Sequence, residues 1–289
     1  MDFAALVSGG KDSIFAIMDA ISHGYQLRAI IHLAPKESDV VTVEQDSYMY
    51  QSVGSEGIEL ISRALNTPLI CRTISGRSVF TGINYISQSN DEVEDLFAAL
   101  SAAVVRFPTL RFVCSGAIMS DYQRIRVEQV ASRLGLRSLA FLWRRNQVSL
   151  LSDMLRSGLD AIVVKVASFG LGSRQHLGRT ISDLQPELIR LTGPPWYLNA
   201  CGEGGEYETF TLDSPLFEKR IVLRSPPELV IHSEDEYYPV AYLRLKDLDL
   251  QVAGFIVVIS IPVSFFFVVC IGVRQMSRLV PVRCFSRVN

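Results

Sequence analysis

Residues 8–13 read Ser8-Gly9-Gly10-Lys11-Asp12-Ser13 and follow the apolar run Phe3-Ala4-Ala5-Leu6-Val7. A strand that breaks into Ser-Gly-Gly and restarts as a helix makes a phosphate cradle. Glycines let backbone N–H groups come close to an anion. The helix that follows, expected over 11–23 with Gly24 as its stop, turns its positive end to the same spot. In this reading Ser8, Gly9, Gly10 and Ser13 contact the phosphates. Lys11 adds positive charge, and Asp12 holds Mg²⁺ against them. The loop is not the GxxxxGK[ST] type, because no glycine stands at the required distance before Gly10-Lys11.

Two further stretches could do chemistry. Gly202-Glu203-Gly204-Gly205-Glu206-Tyr207-Glu208 packs three glycines and three carboxylates into seven residues, which excludes a helix. Glycine closes a backbone tightly on a ligand, and carboxylates bind a cation or orient an amine. Glu203 and Glu206 are read as catalytic, acting after the nucleotide binds, and Tyr207 and Glu208 as substrate contacts. The plain alternative is a solvated acidic turn. Residues 115–128, Ser-Gly-Ala-Ile-Met-Ser-Asp-Tyr-Gln-Arg-Ile-Arg-Val-Glu, read as strand end, small-residue turn and helix. Ser120 suits an N-cap and Asp121 the first turn. Gly116 and Arg124 are read as nucleotide contacts and Asp121 as a substrate contact. The plain alternative is an i,i+4 pair of Arg124 with Glu128. The acid run 91–95 reads as a solvated helix start, Trp143-Arg144-Arg145 as a rim, and His176 and His232 as ordinary. There is no Ser-His-Asp or Cys-His arrangement.

These motifs need a scaffold. Strands are expected at 2–7, 27–33, 68–73, 110–115, 138–142 and 160–167. Helices are expected at 11–23, 55–65, 91–106, 120–134, 146–157 and 181–191. Such alternation means an α/β fold, a doubly wound parallel sheet with ligands beyond the strand carboxyl ends. From Pro194 onward the runs shorten (209–213, 220–224, 228–232), which marks a smaller C-terminal α+β lobe. The expected domains are a nucleotide-binding domain over 1–145, a substrate lobe over 146–250, and an atypical tail over 251–289. Residues 34–50 are polar and read as a loop.

Composition bounds the function. The chain has 289 residues, 48% of them hydrophobic, and a formal charge of −2. Residues 251–289 hold four arginines and no acid, so the preceding chain carries 24 basic against 30 acidic residues. That mildly acidic body argues against direct nucleic-acid binding. Five scattered cysteines without a CxxC spacing suggest neither zinc nor a disulfide framework and suit the cytoplasm. Val252 to Val273 has no charged residue and is long enough, at about 33 Å as a helix, to span a bilayer. It reads as a C-terminal membrane anchor, as sequence outside the folded enzyme, or as a buried hairpin. The arginines after it conflict with the first reading for a cytosolic body.

Taken together the motifs resemble the diphthine–ammonia ligase (diphthamide synthase) family of ATP pyrophosphatases. The resemblance rests on SGGKDS at 8–13, DSYMYQSVG at 46–54, GRS at 76–78, DEVEDL at 91–96 and GAIMSDYQRIRVE at 116–128. It continues through LWRRNQ at 142–147, HLG at 176–178, CGEGGEYETFTLD at 201–213 and VIHS at 230–233. It implies ATP as substrate with Mg²⁺, and a reaction that joins ammonia to diphthine on translation elongation factor 2 through an acyl-adenylate, releasing AMP and pyrophosphate. Diphthine carries a trimethylammonium group, for which Glu203, Glu206 and Tyr207 are the matching side chains. Two other readings stay open: a different ATP pyrophosphatase of tRNA-modifying or amidotransferase type, and a non-catalytic nucleotide-binding protein.

Overall fold

A computed structural model describes residues 1–35, 49, 53–83, 85–235 and 237–252. Most of the expected loop at 34–50, most of the DSYMYQSVG motif, and the tail beyond Val252 with its expected anchor lie outside the described residues. Residues 1–251 form one compact unit.

The N-terminal apolar run forms β1 (Asp2–Leu6). It joins β2 (Gln26–Ala34), β3 (Leu69–Thr73), β4 (Leu110–Cys114) and β5 (Arg137–Leu139) in a parallel sheet of order β3-β2-β1-β4-β5. A parallel sheet must be covered on both faces, and alternation along β1 shows how this one is. Phe3, Ala5 and Val7 share a core with Ile14 and Ile17 of α1 (Lys11–Ser22) and Ile58 and Ile61 of α2 (Ile58–Ala64). Ala4 belongs to a second core, with Leu96 and Leu100 of α3 (Glu92–Arg106) and Val127 and Val130 of α4 (Asp121–Arg133). The doubly wound sheet expected from the alternation is therefore present. Each of these large side chains, when fully buried, contributes roughly 1.5–3 kcal/mol.

Local chemistry starts the helices where the sequence reading places them. Ser120 Oγ accepts the Gln123 N–H at 3.3 Å ahead of α4. Asn146 does the same for Ser149 at 3.1 Å, ahead of α5 (Gln147–Arg156). Gly24, with φ +85°, ends α1.

The sixth expected strand departs from the parallel pattern. β6 (Asp160–Val166) leaves the first sheet and pairs antiparallel with β7 (Tyr207–Asp213). With β9 (Glu228–Ser233) and β10 (Val240–Arg244) they form a four-stranded sheet of order β7-β6-β10-β9. β8 (Arg220–Leu223) pairs separately with β11 (Leu248–Gln251). A short, fully buried apolar run has no periodicity that distinguishes a parallel from an antiparallel partner. The short α6 (Ser173–His176), β10 and β11 have no counterpart in the sequence reading, whereas α7 (Ile181–Arg190) does. Among the described residues no helix is long and apolar enough to cross a membrane.

Candidate active site

The loop between β1 and α1 lies at the carboxyl end of β1, where the strand order reverses between β2 on one side and β4 on the other. That reversal is where open α/β sheets bind ligands. Gly9 has φ +95°, a conformation that side chains disfavour. The Gly10 N–H meets Ser8 Oγ at 3.3 Å, and Ser13 Oγ donates to the Gly10 carbonyl at 2.9 Å.

The second lobe shapes this loop directly. Thr209 Oγ1 of β7 accepts the Lys11 N–H at 3.1 Å, and the Thr211 N–H donates to the Gly9 carbonyl at 2.9 Å. Between them the Phe210 ring seats on Gly9, Gly54 and Gly57. A Cβ at Gly57 would stand 2.2 Å from Phe210 Cζ, so any side chain there would displace the ring.

Lys11 points inward. It is 1% exposed, and its ammonium donates to Asp12 Oδ2 at 2.9 Å and to the Cys201 carbonyl, with the Tyr207 ring 5.1 Å away. Burial is the largest influence and pulls its pKa down, but the Asp12 charge and hydrogen bond, with Tyr207 and Cys201, together hold the ammonium above its ordinary value. Among the described residues Asp12 Oδ1 is buried without a hydrogen-bond partner. An unsatisfied carboxylate oxygen beside a phosphate loop fits a bound cation, since Mg²⁺ is usually held by one or two carboxylates plus phosphates and water. No cluster of three or more His, Cys, Asp or Glu able to hold a metal by itself occurs among the described residues.

Glu203 reaches across to the turn before α4. Its Oε1 accepts the N–H groups of Ile118 (2.5 Å) and Ser120 (3.2 Å), and its Oε2 accepts that of Met119 (2.5 Å). Burial raises its pKa against the pull of these three donors. Gly116 holds the other end of the same turn. A Cβ there would lie 2.9 Å from Asp12 C and Ser13 N, so only glycine lets the turn rest on the first turn of α1.

These parts enclose a cavity of about 670 Å³, lined from the first lobe by Ser8, Lys11, Asp12, Ser13 and Gly116 and from the second by Lys165, Gly202–Gly205 and Tyr207–Thr209. The volume lies within the range of small-molecule sites. Lys165 and His32 line it as well and had no place in the sequence reading. Lys165 Nζ pairs with Glu208 Oε1 at 3.2 Å. The buried His32 ring bridges the Val7 carbonyl (2.8 Å) and Ser55 Oγ (2.7 Å), and burial lowers its pKa, which favours the neutral ring. Neither residue belongs to a recognisable spacing. Lys165 interrupts the apolar run Ala161–Val166, and that is the one signal that could have singled it out.

The remaining expected site residues divide. Tyr207 lines the cavity, but its hydroxyl is turned inward to the Ala200 carbonyl at 2.6 Å. Glu206 does not line it, and its Oε1 accepts the Asn199 N–H at 3.0 Å. Asp121 and Arg124 also stay outside. Arg124 pairs with Glu128 at 2.9 Å and Asp121 at 3.2 Å, and its guanidinium covers Trp143 at 4.7 Å. The acid run at 91–95 is a correction. Asp91, Glu92 and Asp95 are buried, not solvated. Asp95 accepts the N–H groups of Ser75 (2.7 Å) and Gly76 (2.9 Å), the Ser75 hydroxyl (2.7 Å) and Arg72 Nε (3.2 Å), so it pins a loop after β3. Burial pushes the thiols of Cys114 and Cys201 up to about 12, so neither is a thiolate near neutral pH.

A glycine-rich strand-to-helix loop at the reversal point of a parallel sheet, facing a second, antiparallel sheet across one cavity, defines an α/β protein with a ligand site at its switch point. Comparison with known proteins narrows the class. The family model described as the diphthamide synthase N-terminal domain matches residues 1–138, and that described as the diphthamide synthase C-terminal domain matches residues 146–240. Proteins named diphthine–ammonia ligase from Rattus norvegicus and Homo sapiens are each 49% identical over 251 residues, covering 87% of this chain and 93% of theirs. One of the same name from Schizosaccharomyces pombe is 45% identical over 85% of this chain and 39% of its own. The chain belongs to the diphthamide synthase family.

Proposed function

We propose that this protein is an ATP-dependent ligase that amidates diphthine on translation elongation factor 2, taking its nitrogen from ammonium. The observation that carries the reading is one cavity in which the phosphate loop of the first lobe faces the acidic glycine turn of the second. The relatives named diphthine–ammonia ligase support the same reaction.

In this reading the backbone at Ser8, Gly9 and Gly10 and the Ser13 hydroxyl hold the phosphates, with Lys11 supplying fixed positive charge from beneath the loop. Asp12 Oδ1 would hold Mg²⁺, which neutralises phosphate charge when bound. Glu203 orders the 118–120 turn that lines the same space. Lys165 draws in the anionic oxygens of the acceptor, and Glu208 with the Tyr207 ring faces its trimethylammonium group. A diphthine carboxylate oxygen attacks the α-phosphorus, and the bond to the bridging oxygen breaks, so pyrophosphate leaves with the electron pair. Ammonia then attacks the acyl carbon, AMP leaves, and one proton is released. Catalysis is mostly positioning and charge stabilisation.

The test is direct. The protein is incubated with ATP, ammonium and diphthine-bearing elongation factor 2, and the factor is weighed by mass spectrometry. Acid-to-amide conversion with AMP as the nucleotide product is expected. ADP as product, or an unchanged factor, refutes the reading.

A further inference from the structure

The second lobe carries an aromatic surface that the chemistry does not use. Phe169 stacks on Tyr237 with centroids 5.3 Å apart, and Trp196 lies 6.3 Å from Phe169. Tyr197, Tyr237 and Tyr238 are 73%, 61% and 78% exposed. The surface is held in place from below. Gly170 lies flat against Trp196, where a Cβ would come within 2.5 Å of Cδ1, and the Arg190 guanidinium sits 4.8 Å from the indole. Tyr197 has φ +49°, a left-handed conformation that costs a bulky residue about 1–3 kcal/mol. Asp235 Oδ1 accepts the N–H groups of Tyr237 (2.8 Å) and Tyr238 (2.9 Å), which fixes the backbone that carries both rings.

Its place matters. Ala167 lines the cavity. Phe169 is two residues further on, and two residues span at most about 7 Å. The aromatic surface therefore begins at the cavity rim. A cavity of about 670 Å³ admits a nucleotide and one side chain, not a protein. An acceptor borne on a protein leaves its surrounding surface on that rim.

We propose that Phe169, Trp196, Tyr197, Tyr237 and Tyr238 form the docking face for the protein substrate. This rests on the ligase reading above. Exposed Tyr rings backed by the half-buried Phe169 and Trp196 are the kind of aromatic anchor that protein contacts use. Exposed Glu234 and Asp235 border them, so the matching partner is a loop with apolar side chains flanked by lysine or arginine.

The experiment uses the full chain with the double variant Tyr237→Ala/Tyr238→Ala and, separately, Glu234→Lys. These side chains are exposed and lie outside the cavity. KM for the diphthine-bearing factor is expected to rise about tenfold in the double variant, with kcat and ATP affinity unchanged. Glu234→Lys is expected to slow association, by less as salt is added. A wild type that amidates the factor and variants whose KM stays within about twofold overturn the docking assignment alone. A wild type that does not amidate the factor overturns the ligase reading and this assignment with it.

Discussion

Glu203→Gln separates two roles for one carboxylate. If Glu203 acts on the acceptor after the nucleotide binds, Gln abolishes amide formation and leaves ATP affinity alone. The geometry predicts the opposite order of effects, because both oxygens are engaged by the backbone of residues 118–120. Gln keeps one carbonyl oxygen, which can serve Ile118 and Ser120. Its amide nitrogen then replaces Oε2 and faces the Met119 N–H, donor against donor. One hydrogen bond to a charged acceptor is lost, worth about 1.5–3 kcal/mol, and two lose their charge assistance. Met119 is exposed, so water recovers part of that loss, leaving a cost of about 2 kcal/mol. Expressed in ordering the turn, that cost weakens ATP binding by about 30-fold. Isothermal titration of Mg-ATP into both proteins reads it. An ATP affinity within about threefold of wild type, with amide formation lost, would refute the clasp and return Glu203 to the chemistry.

Three further outcomes follow from the same structure. Gly116→Ala places a Cβ 2.9 Å from the backbone of Asp12 and Ser13, which cannot yield as a flexible side chain would. ATP binding should fall at least about tenfold while circular dichroism is unchanged, and normal affinity would show that the turn moves freely. Asp95→Asn should destabilise the fold by about 2–3 kcal/mol near neutral pH. Burial raises the Asp95 pKa, but the N–H groups of Gly76 and Ser75, the Ser75 hydroxyl and Arg72 together hold it below its ordinary value of 3.8. The stabilisation is therefore present above that pH and is lost as pH falls through the folded value, so urea midpoints of wild type and variant should converge in acid. A pH-independent gap would contradict this. Chain 1–252 should match the full chain in thermal midpoint and activity. Ending at 246 removes β11, its pairing with Arg220–Leu223 and the Leu248 contact at Gly57, at a cost of about 3 kcal/mol or more. A chain 1–252 that fails to fold would show that the later residues belong to the core.

The sequence by itself determined what is local. Phosphate-loop glycines, the Ser120 cap and the strand–helix alternation each depend on neighbours within a few positions, where spacing and geometry are the same statement. The two faces of β1 follow for the same reason, since side chains alternate along any strand. What only the tertiary structure decided involves partners distant in the chain. Glu203 meets Ile118 across 85 positions and Lys11 meets Thr209 across 198. No spacing rule distinguishes a carboxylate aimed at a ligand from one aimed at a backbone turn. Burial of Asp91, Glu92 and Asp95 likewise depends on donors around 72–80. An unpaired acidic run belongs in water, and those partners make burial affordable. The strand–helix alternation assigns β6 to the parallel sheet and the fold does not, for a related reason. Its apolar residues require burial, and burial alone does not name the sheet.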